Sequence, residues 1–337
     1  MTTQENYMQR CLQLAQNGLG TTYPNPLVGS VIVSDAGGIL GEGWHRKAGE
    51  PHAEVNAVLD AEKKGCEESA FAKAVLYVNL EPCSHTGKTP PCASLIIKKG
   101  FKKVVVGTLD PHEKVAGKGV ALLKKAGIEV IVGVLEKQCN ELNKRFFTFH
   151  KEQRPYIILK WAETSDGFIA PGQKEEQKPV WITTPYSRQL SHRLRAEENS
   201  ILVGTKTVLD DNPSLTCREW KGTHPIRVVM DSKNSITADF RVMDSTAPTI
   251  KLNHTSTDVE GILKELYKNG IQSVIIEGGF TTIQAFIDVQ KWDETYQFMG
   301  TEILFYQGLK APILNGNYQI KERKNIKNDV LKIYRNI

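Results

Sequence analysis

Apolar and polar positions alternate in short blocks along the chain, and their spacing predicts helices and strands in turn. Residues 4–17 carry an amphipathic pattern that stops at Gly18, where glycine commonly closes a helix. "VGSVIVS" and "ILGEGWH" then read as strands joined through "DAGG", a hairpin-type turn. "HAEVNAVLDAEKKG" reads as a helix, "AVLYVNL" as a strand and "CASLIIKKG" as a helix. "KVVVGT", "GVALLKKAG" and "IEVIVGV" continue as strand, helix and strand. The pattern predicts an α/β layer on a mostly parallel sheet, complete near residue 135.

One more helix, "EKQCNELNKRFFTFHKEQ", leads to Arg154-Pro155, and proline disfavours helix at the residue before it. The pattern restarts there. Strands are expected in "YIILKWA", "SILVGTKTV", "PIRVVMDS" and "SVIIEGG", and helices in "TPYSRQLSHRLRAEE", "DVEGILKELYKNG" and "TTIQAFIDVQ". The chain of 337 residues therefore divides into two α/β domains, residues 1–150 and 151–337, each long enough to bury its own core. Neither an internal repeat nor a low-complexity segment interrupts them.

Composition, at 40% hydrophobic and 24% charged, fits a globular protein in water. No apolar run approaches the roughly 18 residues a bilayer span requires. The polar start "MTTQENYMQR" lacks a signal-peptide layout, so a cytoplasmic protein without membrane contact is expected. The net charge of +5 raises the question of nucleic acid. Residues 1–150 hold 18 Lys+Arg against 15 Asp+Glu, and the end "KERKNIKNDVLKIYRNI" holds 6 against 2. Apart from that end the excess is thin and spread out, which argues against a nucleic-acid footprint, and the end itself reads as a solvated charge run.

Six cysteines in a chain of this size are no disulfide framework, but Cys83 and Cys92 lie close together, which in the cytosol points to metal or redox chemistry. In "GKTPPCASLIIKKG", Pro90 and Pro91 fix where a helix begins and place Cys92 at its positive end, where a thiol ionises readily. Such a thiolate is a nucleophile or a metal ligand. Upstream stands "HAE", residues 52 to 54. His52, Cys83 and Cys92 give one imidazole and two thiolates, the donor set of a catalytic zinc that leaves its fourth position to water. Glu54 then stands ready as proton carrier for attack on an amine-bearing ring carbon. A structural zinc with His85 as fourth ligand is the alternative, and it leaves Glu54 without a purpose. The zinc-deaminase pattern is H-x-E followed by P-C-x-x-C, whereas here eight residues separate the cysteines.

In the second half no GxGxxG follows a strand, so an ordinary dinucleotide site is not supported. "SVIIEGGFTTIQAFI" gives a strand, two glycines and a helix, an arrangement that serves simple turns as well as phosphates.

"YPNPLVG", "HAE" and "PCSHTGKTPPC" together resemble the deaminase half of the bifunctional riboflavin-biosynthesis enzymes. "LKWAETSDGFIA", "WITT", "LRAEENSILVGTKTVLDDNPSLTCR", "PIRVVMDS" and "IEGG" follow in the order of the reductase half. The resemblance covers about residues 1 to 315. It implies a cytidine-deaminase-like α/β/α domain followed by a dihydrofolate-reductase-like α/β domain. By it, His52, Cys83 and Cys92 bind Zn2+, Glu54 is the acid/base residue, and Asn25 contacts substrate, with His45, His85 and Lys88 lining the same pocket. Trp181, Thr207, Asp211, Ser232 and the run Gly279, Phe280, Thr281, Thr282, Ile283, Gln284, Ala285 would contact NADPH. Arg195, Leu215, Arg218 and Glu277 would contact the substrate, and Lys160 is the proton donor beside the reacting sugar.

Arginine forks match phosphate oxygens, so Arg195 and Arg218 suit a ribose phosphate. Read without the resemblance, Arg195 also fits a surface ion pair with Glu198, Lys160 a strand end, and Asp211 the start of a turn. One departure stands out: Pro179 replaces a serine common in the family. The implied activity is hydrolytic deamination of 2,5-diamino-6-ribosylamino-4(3H)-pyrimidinone 5′-phosphate, then NADPH-dependent reduction of ribosyl to ribityl by a homo-oligomer. The rivals are a tRNA or nucleoside deaminase, a zinc-stabilised binding protein without activity, and a chain with one active half.

Overall fold

The computed structural model describes residues 2–84, 90–112, 116–173, 176–255 and 257–337. The chain forms two compact units, Met1–Glu152 and Gln153–Ile337. Among the described residues, no helix is long and apolar enough to cross a membrane.

The first unit runs α1 (Thr3–Gln16), β1 (Gly29–Val33), β2 (Ile39–Trp44), α2 (Ala53–Lys63), α3 (Glu68–Phe71), β3 (Val75–Leu80), α4 (Cys92–Lys98) and β4 (Lys103–Thr108). It closes with α5 (Lys118–Lys125), β5 (Glu129–Val132), α6 (Glu136–Leu142) and α7 (Lys144–Glu152). Its sheet has the order β2-β1-β3-β4-β5. The mostly parallel sheet expected from the sequence is corrected to a mixed one. β1 is antiparallel to both β2 and β3, and only β3, β4 and β5 run parallel. The cause is the β1–β2 hairpin, which sits at one edge of the sheet and turns β1 against its neighbour.

α2 lies unusually close to β2. A Cβ at Gly41 would stand 2.3 Å from the carbonyl oxygen of Ala57, and one at Gly43 would stand 2.4 Å from its amide nitrogen. Glycine in the strand and Ala53, Ala57 and Ala61 in the helix, all fully buried, therefore set that distance together. The single helix predicted at 136–153 is broken at Asn143, a buried residue that ends α6 and turns its side chain to Leu27.

The second unit runs β6 (Tyr156–Thr164), β7 (Phe168–Pro171), α8 (Pro185–Glu197), β8 (Ser200–Gly204), α9 (Thr205–Asp211), β9 (Ile226–Met230), β10 (Thr249–Leu252) and α10 (Val259–Lys268). β11 (Ser273–Ile276), α11 (Phe280–Asp288), β12 (Glu294–Gly300), β13 (Gly308–Lys310), β14 (Tyr318–Ile326) and β15 (Asp329–Asn336) complete it. The large sheet has the order β10-β9-β8-β11-β6-β12-β15-β14, parallel from β10 to β12 and antiparallel beyond. Helices cover the parallel part on both faces, so its strands carry buried apolar runs, as in Ile157, Ile158 and Leu159, all fully buried. In α10, Val259, Ile262, Leu263 and Leu266 follow the helical repeat into the core, each contributing about 1.5–3 kcal/mol before entropy is counted.

Two expectations change here. The strand predicted through "SILVGTKTV" stops at Gly204, and Thr205 opens α9. The basic end is no solvated run: its residues build β14 and β15, with Leu331 and Ile333 buried. β15 alternates buried and half-buried positions, a period of two that its lysines and arginines hide from a charge count. Asp329, 1% exposed, opens β15 and accepts hydrogen bonds from the Thr184 amide (2.8 Å), the Thr184 hydroxyl (2.6 Å) and the Ser187 hydroxyl (2.5 Å). It therefore caps α8 from a distant part of the chain.

Candidate metal centre and candidate reductase site

His52 is the N-cap of α2, so Glu54 falls in the first helical turn and is buried, 3% exposed. Cys83 follows β3, and Cys92 is the first residue of α4. Pro91 is the cap of α4 and lies before its first turn, where the sequence had both prolines fixing the start. The amide of Cys92 donates to the sulfur of Cys83 at 3.3 Å. Nδ1 of His52 lies 3.6 Å from the Cys83 sulfur and 3.3 Å from the Cys92 sulfur, and the three ligand atoms all fall within 4.8 Å of one another.

A tetrahedral zinc with sulfur at ~2.3 Å and nitrogen at ~2.0–2.1 Å separates its ligands by about 3.6 Å, so this donor set fits zinc. The thiol of Cys83 is pulled down, first by the side chain of Cys92 and also by that of His52. Cys92, its partner in that hydrogen bond, moves upward. Burial, and then the Cys83 sulfur, push the Glu54 carboxyl up to about 7, within the range useful to a group that takes and returns a proton. His85 and Lys88 lie outside the described residues.

Asn25 reaches the same neighbourhood through a clamp the sequence reading missed. Asn143 Oδ1 accepts the amide of Leu27, the Asn143 and Asn79 side-chain amides both donate to its carbonyl, and Asn79 Oδ1 accepts the amide of Gly29. Nδ2 of Asn25 lies 3.0 Å from Nε2 of His45, whose Nδ1 lies 3.2 Å from the carbonyl of Pro51. Glu81 was also missed. Its carboxylate accepts the amides of Asp110, Gly117 and Val120, which ties the segment after β4 to the strand end that carries Cys83. Nothing local in the sequence signals either clamp, because every partner is far away in the chain.

In the second unit, Lys160, Arg195 and Glu277 form one cluster. Nζ of Lys160 lies 2.8 Å from Glu277 Oε1, and Arg195 grips both oxygens, at 3.0 and 2.9 Å from Nη2. Burial opposes the Glu277 charge, yet Arg195 and then Lys160 bring its carboxyl down to about 2. Arg195 thus pairs with Glu277 and not with Glu198, the surface alternative. Arg218 is exposed and reaches Thr216 Oγ1 at 3.0 Å; it makes no ion pair among the described residues. Leu215 is buried beside it with φ 54°.

Trp181 is half exposed and stacks on the guanidinium of Arg188 at 4.5 Å. Gly279, with φ 59°, caps α11 directly after β11, and a Cβ at Gly278 would stand 2.6 Å from Val203. The run Gly279–Ala285 divides in two. Thr282 and Ile283 are buried and Gln284 bonds the backbone of Ile313, whereas Phe280 and Thr281 remain half-buried and exposed. Thr207 and Asp211 lie on α9. Ser232 is exposed just past β9, next to Asp231, which holds its turn by accepting the Ser235 and Ile236 amides.

The fold and these two clusters define a zinc-type deaminase unit and a reductase-type unit on one chain. Comparison with known proteins agrees. The cytidine and deoxycytidylate deaminase zinc-binding region matches residues 1–108, and the RibD C-terminal domain matches residues 155–327. The riboflavin biosynthesis protein RibD of Aquifex aeolicus is 41% identical over 321 residues, 89% of this chain and 87% of its own. That of Escherichia coli is 37% identical over 334 residues, 89% and 88%. A diaminohydroxyphosphoribosylaminopyrimidine deaminase/5-amino-6-(5-phosphoribosylamino)uracil reductase from Thermotoga maritima has a similar structure, with TM-score 0.88, 38% identity and 99% of both chains covered. Acinetobacter baumannii RibD follows at 0.87 and 32%, covering 99% of this chain and 98% of its own. The chain belongs to the RibD family, the bifunctional deaminase–reductases of riboflavin biosynthesis.

Proposed function

We propose that the first unit hydrolyses the 2-amino group of 2,5-diamino-6-ribosylamino-4(3H)-pyrimidinone 5′-phosphate, and that the second reduces the ribosyl group of the product to ribityl. The observation that carries this reading is the convergence of His52, Cys83 and Cys92 beside a buried Glu54. Bound by those three side chains, zinc supplies a Lewis acid that makes water nucleophilic near neutral pH. Glu54 takes one proton from the water that adds to the ring carbon and delivers it to the ring nitrogen, then takes the second from the hydroxyl of the adduct and delivers it to the amine, which leaves as ammonia. Asn25, held by His45, orients the pyrimidine.

In the second unit, the start of α11 with Trp181, Thr207, Asp211 and Ser232 would hold NADPH, which would supply the hydride. Glu277 stays ionised and holds Nζ of Lys160 in place, the donor for the oxygen or nitrogen that gains a proton at the opening sugar. Arg195 is already engaged with Glu277, so Arg218 is the phosphate anchor. Leu215 packs below the sugar.

A cytoplasmic homo-oligomer acting on small soluble phosphates completes the reading, and six unbridged cysteines agree with a reducing compartment. Two assays test it: ammonia release from the diaminopyrimidine phosphate and NADPH oxidation by the deaminated product. Absence of both activities in the zinc-loaded chain would overturn it.

A further inference from the structure

The segment between α9 and β9 carries Leu215 and Arg218, and it is held in a costly shape. A left-handed backbone at leucine costs about 1–3 kcal/mol and persists only where the surroundings enforce it. One face of α8 supplies that enforcement. Arg188, His192 and Arg195 are spaced by four and then three residues and fall on that face. Arg188 pairs with Glu219, and Nη1 of Arg195 donates to the carbonyl of Thr216 at 3.2 Å. Between them, Nδ1 of His192, 2% exposed, accepts the amide of Arg218 at 3.0 Å. The thiol of Cys217 donates to the carbonyl of His192 at 3.3 Å, and Nδ1 of His224 accepts the Cys217 amide at 3.2 Å.

An imidazole that accepts on Nδ1 is neutral and carries its proton on Nε2. The charges facing it are Arg195 on α8, Arg218 and Glu219 on the segment, and Glu277 after β11. Burial, then Arg195 and Arg218, bring His192 down to about 4, so it remains an acceptor at neutral pH.

We propose that His192 is a positioning residue of the reductase: by accepting the Arg218 amide it aims that guanidinium at the 5′-phosphate of the substrate. The proposal rests on the reading of Arg218 as the phosphate anchor. Asparagine offers an oxygen near the place of Nδ1, glutamine offers one nearer the place of Nε2, and leucine offers none.

The test is steady-state NADPH oxidation by the full zinc-loaded chain with the deaminated ribosyl phosphate. His192→Leu is expected to raise the KM for that substrate about tenfold, the effect of leaving one buried amide without a partner, with kcat and the KM for NADPH within about twofold. His192→Asn is expected to return the KM to within about threefold of the parent. Equal effects of leucine and asparagine, or parallel changes in kcat and NADPH KM, would overturn the proposal. Should the leucine variant not fold, glutamine takes its place: a KM above that of the asparagine variant supports the proposal, and an equal one overturns it. Arg218→Ala separates the two readings. If it leaves KM unchanged, the phosphate anchor is wrong; if it raises KM while His192→Leu does not, only the positioning role falls.

Discussion

Nδ2 of Asn25 donates to Nε2 of His45, 3.0 Å away. The direction of that bond follows from the other ring nitrogen. Nδ1 of His45 faces the carbonyl of Pro51, which only accepts, so Nδ1 carries the proton and Nε2 is left as acceptor. Burial keeps the ring neutral by lowering its pKa. Asn25 therefore has its Oδ1 outside that bond, where the proposed reading sets it against the pyrimidine. Asn25→Asp replaces the donor by an acceptor and sets two acceptors against each other. We expect kcat/KM for ammonia release to fall about tenfold to a hundredfold, with NADPH oxidation unchanged. Unchanged deamination would refute this orientation.

Glu54→Gln tests the proposed proton carrier apart from the metal. The amide keeps the shape but cannot cycle a proton, so ammonia release should fall about 10²–10⁴-fold while bound zinc and NADPH oxidation remain at parent levels. Cys92→Ser, or removal of zinc by a chelator, should abolish ammonia release together with zinc content and spare NADPH oxidation. A chelator that stops both reactions would argue against two independent centres.

The metal-holding group of the first unit was legible in the sequence because it is written in short motifs. "HAE" and "PCSHTGKTPPC" carry the four groups of the first site, and the structure brings three ligand atoms within 4.8 Å. The supporting clamps were not legible. Asn143 to Leu27 spans 116 residues, and Glu81 to Val120 spans 39. Such bonds are set by tertiary packing, which no local period records. β14 and β15 were missed for another reason: the exposed charged side chains of the edge strand β14, and the lysine and arginine on β15 beside it, look the same as a solvated tail until the strands are paired.

Glu81 gives a prediction of its own. Both oxygens of its carboxylate are engaged, Oε1 with the Val120 amide and Oε2 with those of Asp110 and Gly117. Glutamine would turn an amide group toward at least one of these donors, at a cost of about 1–3 kcal/mol. Hydrogen exchange at Asp110, Gly117 and Val120 should quicken in Glu81→Gln, while amides of the second unit keep their rates. Unaltered exchange at those three sites would count against the clamp.

The Lys160–Glu277–Arg195 cluster predicts a pH dependence. The folded-state pKa of Glu277, about 2, lies below the ordinary value of 4.5. A depressed carboxylate contributes stability that is complete above its unfolded pKa and is lost as pH falls through its folded one. The stability gap between the parent and Glu277→Gln should thus be flat above about pH 5 and narrow from about pH 4.5 toward pH 2. Denaturant titrations at several pH values measure it. A gap that closes between pH 5 and 8 would contradict the ion-pair geometry.

The reach of Asp329 has a consequence for how the protein is made. Thr184 and Asp329 are 145 residues apart, so the ribosome completes α8 long before it supplies the cap. At ~5–20 residues per second that interval lasts roughly 7–30 s, during which the first unit is free to fold and the helix bearing Arg188, His192 and Arg195 waits with an open end. Nascent chains stalled before residue 329 should already possess a formed deaminase unit, with the reductase unit finishing only when the closing hairpin emerges.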